Sequence, residues 1–148
     1  MADKAISEII TNSREETFAL GEAMGREAKP GEVYCLSGDL GAGKTAFSQG
    51  FAKGLGIEED VTSPTFTIMN VYEEGRLSLF HFDVYRLSDG SELEAIGAEE
   101  YFYGTGVCLI EWPENIEGYV PENAVRVRID KDPAQGEDYR RIKIFRNS

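Results

Sequence analysis

Positive charge is scarce in this chain. Fifteen Lys and Arg stand against 27 Asp and Glu, for a formal charge of −12 over 148 residues. Phosphate backbones attract cationic surfaces, so this balance argues against autonomous nucleic-acid binding. A role in an RNA pathway would have to run through a partner that holds the RNA. Long apolar runs are also missing: none approaches the roughly 20 residues that span a bilayer. Met1-Ala2-Asp3-Lys4 opens no basic segment followed by an apolar stretch, so no signal peptide is expected and a cytoplasmic location is. Cysteine occurs twice, as Cys35 and Cys108, each inside an apolar run. Both read as small buried hydrophobes in a reducing compartment, without a disulfide. Internal repeats and low-complexity segments are absent.

What is present suits one domain spanning 1–148, with enough chain to bury a sizeable core. Ser13 and Glu16 have capping-box spacing and predict a helix from about Arg14, with Phe18, Leu20, Ala23, Met24 and Ala28 as its apolar face. Pro30-Gly31 would end it. Val33-Tyr34-Cys35-Leu36 is a short strand signal, and a helix is expected from Lys44 to Leu55, where Phe47, Phe51 and Leu55 recur every fourth residue. Runs 65–72 and 77–85 are β-rich and flank a turn at Glu73-Glu74-Gly75-Arg76. Ser91 and Glu94 suggest one helix reaching Phe102. Val107-Cys108-Leu109-Ile110 is unbroken and apolar, as a strand covered on both faces would be. Val125, Val127 and Ile129, then Ile142 and Ile144, alternate with basic residues, giving two half-exposed strands joined by the polar loop 132–138. The whole predicts an α/β three-layer sandwich of the P-loop NTPase kind: a mixed, mainly parallel sheet between helices, with an antiparallel hairpin at one end.

The chemistry lies between the first strand signal and the second helix. Gly38, Gly43, Lys44 and Thr45 complete the pattern G-x-x-x-x-G-K-[ST], with Asp39, Leu40, Gly41 and Ala42 as the body of the loop. Glycines let backbone N–H groups turn toward phosphate oxygens without a Cβ in the way. The lysine supplies a point charge, Thr45 a hydroxyl for Mg²⁺, and the helix its positive dipole end. Such a loop needs an acid to hold the metal, and Asp83 and Glu111 each end a strand signal. Alternatively, each carboxylate caps the segment that follows it. Thr62-Ser63-Pro64-Thr65-Phe66 stands where a switch loop would sense the γ-phosphate, with Thr65 the useful hydroxyl; a rigid turn set by Pro64 is the alternative. His81, the one histidine, shares a strand face with Asp83 and is either structural or close to the site. Trp112 is either a core anchor or a partner contact. Arg86 either counters phosphate charge or pairs with Asp83 or a helix terminus. The guanine-selecting Asn-Lys-x-Asp segment is absent, and so is an Arg-rich lid of the nucleoside monophosphate kinase type.

Gly-Asp-Leu-Gly-Ala-Gly-Lys-Thr at 38–45, Ser-Pro-Thr-Phe at 63–66, His-Phe-Asp-Val-Tyr-Arg at 81–86 and Glu-Trp-Pro at 111–113, in this order, resemble the TsaE family, also called YjeE. The likeness runs over most of the chain. It implies an ATPase required for threonylcarbamoyl-adenosine modification of tRNA. It implies ATP or ADP with Mg²⁺ on Lys44 and Thr45, and Glu111 on the metal. Asp83 would take the Walker-B-like position, reaching the metal through water, and Thr65 would belong to the switch loop. Ser13, Arg14 and the loop around Gly136 would lie near the base. The implied partners are TsaB and TsaD, with tRNA met only through them and hydrolysis resetting their complex; the free protein would be a slow ATPase. A P-loop alone specifies phosphate binding and not the reaction, so a metabolite kinase and a nucleotide-gated binding module are the alternatives.

Overall fold

The computed structural model describes residues 4–39, 41–62, 64, 68–87 and 91–147. Seven strands form one sheet in the order β1-β7-β6-β2-β5-β4-β3. The strands are β1 Lys4–Thr11, β2 Val33–Ser37, β3 Met69–Tyr72, β4 Leu79–Asp83, β5 Val107–Glu111, β6 Val125–Lys131 and β7 Arg140–Asn147. The middle of the sheet, β6-β2-β5-β4, is parallel. Both ends are antiparallel, β7 against β6 and β1 on one side and β3 against β4 on the other. The expected hairpin of the last two strands is therefore extended by β1, which pairs with β7 from Lys4 to Thr11 and had no counterpart among the sequence signals.

Helices α1 (Arg14–Glu27) and α2 (Lys44–Gly54) cover one face. The short helices α3 (Ser91–Ala95) and α4 (Ala98–Phe102), with a 3₁₀ segment at Pro113–Tyr119, cover the other. Each layer has its own core. Tyr34, Leu36, Phe47, Phe51 and Leu109 pack on the first face; Cys35, Phe82, Leu93, Phe102 and Ile110 pack on the second. Both cysteines are free and buried. No helix among the described residues is long and apolar enough to cross a membrane.

Ser13 caps α1 by accepting from the Glu16 N–H at 3.1 Å, while the Glu16 carboxylate accepts from the Asn12 N–H at 2.6 Å. This is a capping box displaced by one residue. The buried face of α1 differs from the pattern of its large residues. Thr17, Gly21, Met24 and Gly25 are buried, while Ala23 is exposed. The reason is close approach. A Cβ at Gly21 or Gly25 would strike the backbone carbonyl of Phe47 or Phe51, and one at Gly50 or Gly54 that of Phe18 or Glu22. The predicted helix from Ser91 to Phe102 is two helices. Gly97 stands between them at φ 70°, a left-handed conformation that ends one turn and starts the next. The expected run 65–72 gives a strand from Met69, and its first part lies outside the described residues.

Candidate functional site

β2 is apolar and buried on both faces, so its end is fixed inside the sheet. There Gly38, at φ 154°, turns the chain against β6: a Cβ would stand 2.6 Å from the Ile129 carbonyl oxygen. Gly43 then takes a left-handed φ of 108° and caps α2, which opens at Lys44. The loop is closed by Ala42 N–H donating to Asp39 O at 3.0 Å. Gly43 and Lys44 border a cavity of about 440 Å³ at the carboxyl edge of the parallel strands, while Gly38, Asp39 and Ala42 do not reach its wall. Its walls include Gly41, Gly43, Lys44 and Thr45 from the loop, Ser13, Arg14 and Thr17 from α1, Asp83, Glu111 and Trp112 from β4 and β5, and Asp138 and Arg140 from the last loop and β7.

The two acids meet because β4 and β5 are adjacent and parallel with Asp83 in register with Glu111. Both side chains alternate onto the α2 face, along with His81. Glu111 Oε2 and His81 Nε2 are 2.6 Å apart, with both side chains buried. His81 Nδ1 is buried without a hydrogen-bond partner. The imidazole is thus a neighbour that aims the carboxylate, which decides between the two readings of His81. Asp83 accepts from the Tyr85 N–H at 3.0 Å. Burial pushes its carboxyl above the ordinary range, the Tyr85 hydrogen bond opposes this, and the Glu111 charge adds to it.

Lys44 carries the strongest sign of an incomplete site. Its Nζ is buried without a hydrogen-bond partner and rests 3.6 Å from the centre of the Trp112 ring. Burial lowers its amine pKa, against the pull of the Glu111 and Asp83 charges. A buried ammonium lacking acceptors is costly, and an indole face recovers only part of that. Trp112 itself is held at φ 64°, the one non-glycine residue among those described with a positive φ, and its ring packs on Tyr85 at 4.7 Å. Strained backbone of this kind clusters where a side chain must be aimed.

Lys44, Thr45, Asp83 and Glu111 are therefore brought together, and Ser13 and Arg14 line the same cavity. Arg14 Nη2 donates to Gln49 Oε1 at 2.8 Å. Gly136 is not in the wall; Asp138 and Arg140, beside it in the chain, are. Arg86 is exposed and takes no part in the wall. Leu40 and Thr65 lie outside the described residues. Arg140 was not foreseen. Its Nε donates to Ala42 O at 2.8 Å and its Nη1 to Tyr139 O at 2.8 Å and Glu137 O at 3.0 Å, tying the P-loop to β7. No local pattern marks it, because its partner is 98 residues away. Among the described residues no three His, Cys, Asp or Glu side chains form a metal cage. Mg²⁺ at such a site takes a hydroxyl and one or two carboxylates and completes its shell with phosphates and water, which the donor set Thr45, Glu111 and Asp83 fits.

The chain is similar to known proteins over most of its length. A family model described as "Threonylcarbamoyl adenosine biosynthesis protein TsaE" matches residues 11–142. The chain is 49% identical over 132 residues to the tRNA threonylcarbamoyladenosine biosynthesis protein TsaE of Bacillus subtilis, covering 89% of this chain and 80% of that one. It is 48% identical over 120 residues to the TsaE protein of Treponema pallidum, covering 81% and 88%. Among solved structures, that of Bacillus subtilis YdiB superposes with a TM-score of 0.82 at 39% identity, over all of this chain and 90% of that one.

Proposed function

The chain belongs to the TsaE family, and from that premise we propose that it is a Mg-dependent P-loop ATPase serving threonylcarbamoyl-adenosine modification of tRNA. It acts in the cytoplasm on a complex of TsaB and TsaD, and its hydrolysis of ATP to ADP and phosphate resets that complex between turnovers. The observation that carries the reading is the Lys44 ammonium, buried without an acceptor at the N-terminus of α2 and beside two carboxylates. β- and γ-phosphate oxygens are acceptors of the right charge for it, and the α2 dipole favours the same anion. Bound Mg²⁺ would neutralise developing phosphate charge, held by Thr45 and Glu111 and by Asp83 through water. His81 holds Glu111 in place at 2.6 Å. Arg140 braces the P-loop by donating to the Ala42 carbonyl at 2.8 Å. Trp112 receives Lys44 in the free protein and releases it when phosphate competes. Asp39, Leu40, Gly41 and Ala42 complete the cradle, Ser13 and Arg14 flank the base, and Thr65 serves as the γ-phosphate-sensing hydroxyl.

The acidic surface fits a protein that meets tRNA only through its partners. The test is ATPase activity with and without TsaB–TsaD for wild type and Lys44→Ala. Slow turnover alone, a rise with the pair and loss of both in the variant are expected. Lys44→Ala should weaken ATP binding by about 1.5–3 kcal/mol, the range for hydrogen bonds to charged groups. No stimulation by the pair sinks the partner role, and a newly phosphorylated small molecule in place of free phosphate makes the protein a kinase.

A further inference from the structure

Residues 87–124 contain nine Asp and Glu and no Lys, Arg or His. Among the described residues of this stretch, α3, α4 and the 3₁₀ segment build the layer opposite the P-loop helix, while Glu111 on β5 turns to the α2 face. Between α3–α4 and the end of the 3₁₀ segment lies a groove of about 400 Å³. Leu93, Phe102 and Val120 line it together with Glu94, Glu99 and Tyr119. Tyr103 is 68% exposed beside it, and Ile96, in the kink between the helices, is 41% exposed. Glu94 accepts from the Tyr119 hydroxyl at 3.4 Å, and Glu117 below is paired with Arg126. Neither Glu94 nor Glu99 has a cation within ion-pair distance among the described residues.

We propose that this groove docks a basic segment of a protein partner, with one apolar side chain entering the cavity and Lys or Arg residues meeting Glu94 and Glu99. The proposal rests on the reading that this protein works on a protein partner, and it names the chemistry of the contact. The acidic field selects a cationic chain and repels phosphate backbones and anionic lipid headgroups. The cavity has the size of an anchor pocket, with both apolar and acidic side chains in its wall. Its position links it to the nucleotide. α3 follows the strand that delivers Asp83, and the 3₁₀ segment follows the strand that delivers Glu111. Asn115 Nδ2 ties the two segments by donating to Val84 O and Tyr85 O, both at 3.0 Å, and Val84 N–H donates to Glu111 O at 3.2 Å. A segment seated in the groove therefore bears on the same backbone that carries both carboxylates.

Gly118 allows a clean block. A Cβ there meets nothing within 4 Å, and its φ is not in the left-handed region, so Gly118→Leu fills the groove without strain. Wild type, Gly118→Leu and Glu94→Lys/Glu99→Lys are each titrated with two probes: the TsaB–TsaD pair, and a short fluorescent peptide alternating Lys and Leu. Thermal midpoints and affinity for a fluorescent ATP analogue are measured alongside. Both variants should keep the wild-type midpoint and ATP affinity yet bind both probes at least about tenfold more weakly. Wild-type binding of both probes by both variants overturns the groove and leaves the ATPase reading standing. So does a loss confined to charge reversal, which would mean a diffuse field without a seat. If the pair does not bind wild type, the partner role falls, and the peptide alone decides: failure to bind wild type, or equal binding to all three proteins, overturns the groove.

Discussion

The two faces of the sheet are built in opposite ways. On the nucleotide face, α1 and α2 meet backbone to backbone through Gly21, Gly25, Gly50 and Gly54, with no space for a side chain between them. On the far face, two five-residue helices and a 3₁₀ segment leave a groove of about 400 Å³. The first face carries the proposed phosphate cradle, and recognition of a phosphate depends on fixed N–H directions. The second face carries none of those groups, and loose local structure there is compatible with fitting a partner. The contrast teaches that the closest packing in this protein lies beside the P-loop and is not spread evenly.

The comparison can be broken first at the helix seam. Gly25→Leu drives a side chain into the Phe51 carbonyl. It should cost more than about 3 kcal/mol or prevent folding, since neither backbone can move aside. Gly118→Leu on the far face should change stability by no more than about 0.5 kcal/mol. Urea melts of the two variants give the contrast directly, and equal losses would show the faces to be alike. The next largest effect sits under the nucleotide face, at His81. His81→Phe leaves the buried Glu111 carboxylate without its partner, at a cost of about 1–3 kcal/mol, with loss of Mn²⁺ affinity measured by electron paramagnetic resonance in the presence of ATP. His81→Gln keeps a donor and should recover part of both; if Phe and Gln variants behave identically, His81 is only filling space.

The far face also responds to pH. Burial pushes the Cys35 and Cys108 thiols up to about 12 from 9.0. The folded state then keeps protons that the unfolded chain gives up above pH 9. Folding is favoured below that point and loses ground as pH rises toward 12, by at most about 1.4 kcal/mol per pH unit for each thiol. Denaturant melts across this window should show a shallower decline for Cys108→Ala than for wild type. A decline of equal slope would mean that the far-face core admits water.

Much of the fold was legible because it is local. The P-loop lies where Gly38 to Thr45 placed it, and β2, β5, β6 and β7 follow their apolar runs closely. Ser13 and Gly56 mark helix ends as their residue types suggest. β1 was not legible, since Lys4–Thr11 is an edge strand whose partner is the far end of the chain. The face of α1 was misjudged at Ala23 because glycines, which add nothing to an apolar pattern, form the buried seam. The α3–α4 break depended on the left-handed Gly97, which a capping-box signal at Ser91 does not disclose.

The candidate site divides in the same way. Lys44, Thr45, Asp83 and Glu111 were named from spacing and strand ends alone. By itself the sequence determined a Gly-rich loop of the G-x-x-x-x-G-K-[ST] pattern between a strand and a helix, two carboxylates at the carboxyl edge of a sheet, and an acidic balance that points away from direct nucleic-acid binding. Each follows from residue type, period or charge, which require no knowledge of neighbours. Only the tertiary structure decided that Lys44 rests on Trp112, that His81 aims Glu111, that Arg140 reaches back 98 residues to the P-loop, and that Glu94 and Glu99 border a groove on the far face. Those facts depend on strand order, register and the distance between helices, and these are set by packing across the whole chain.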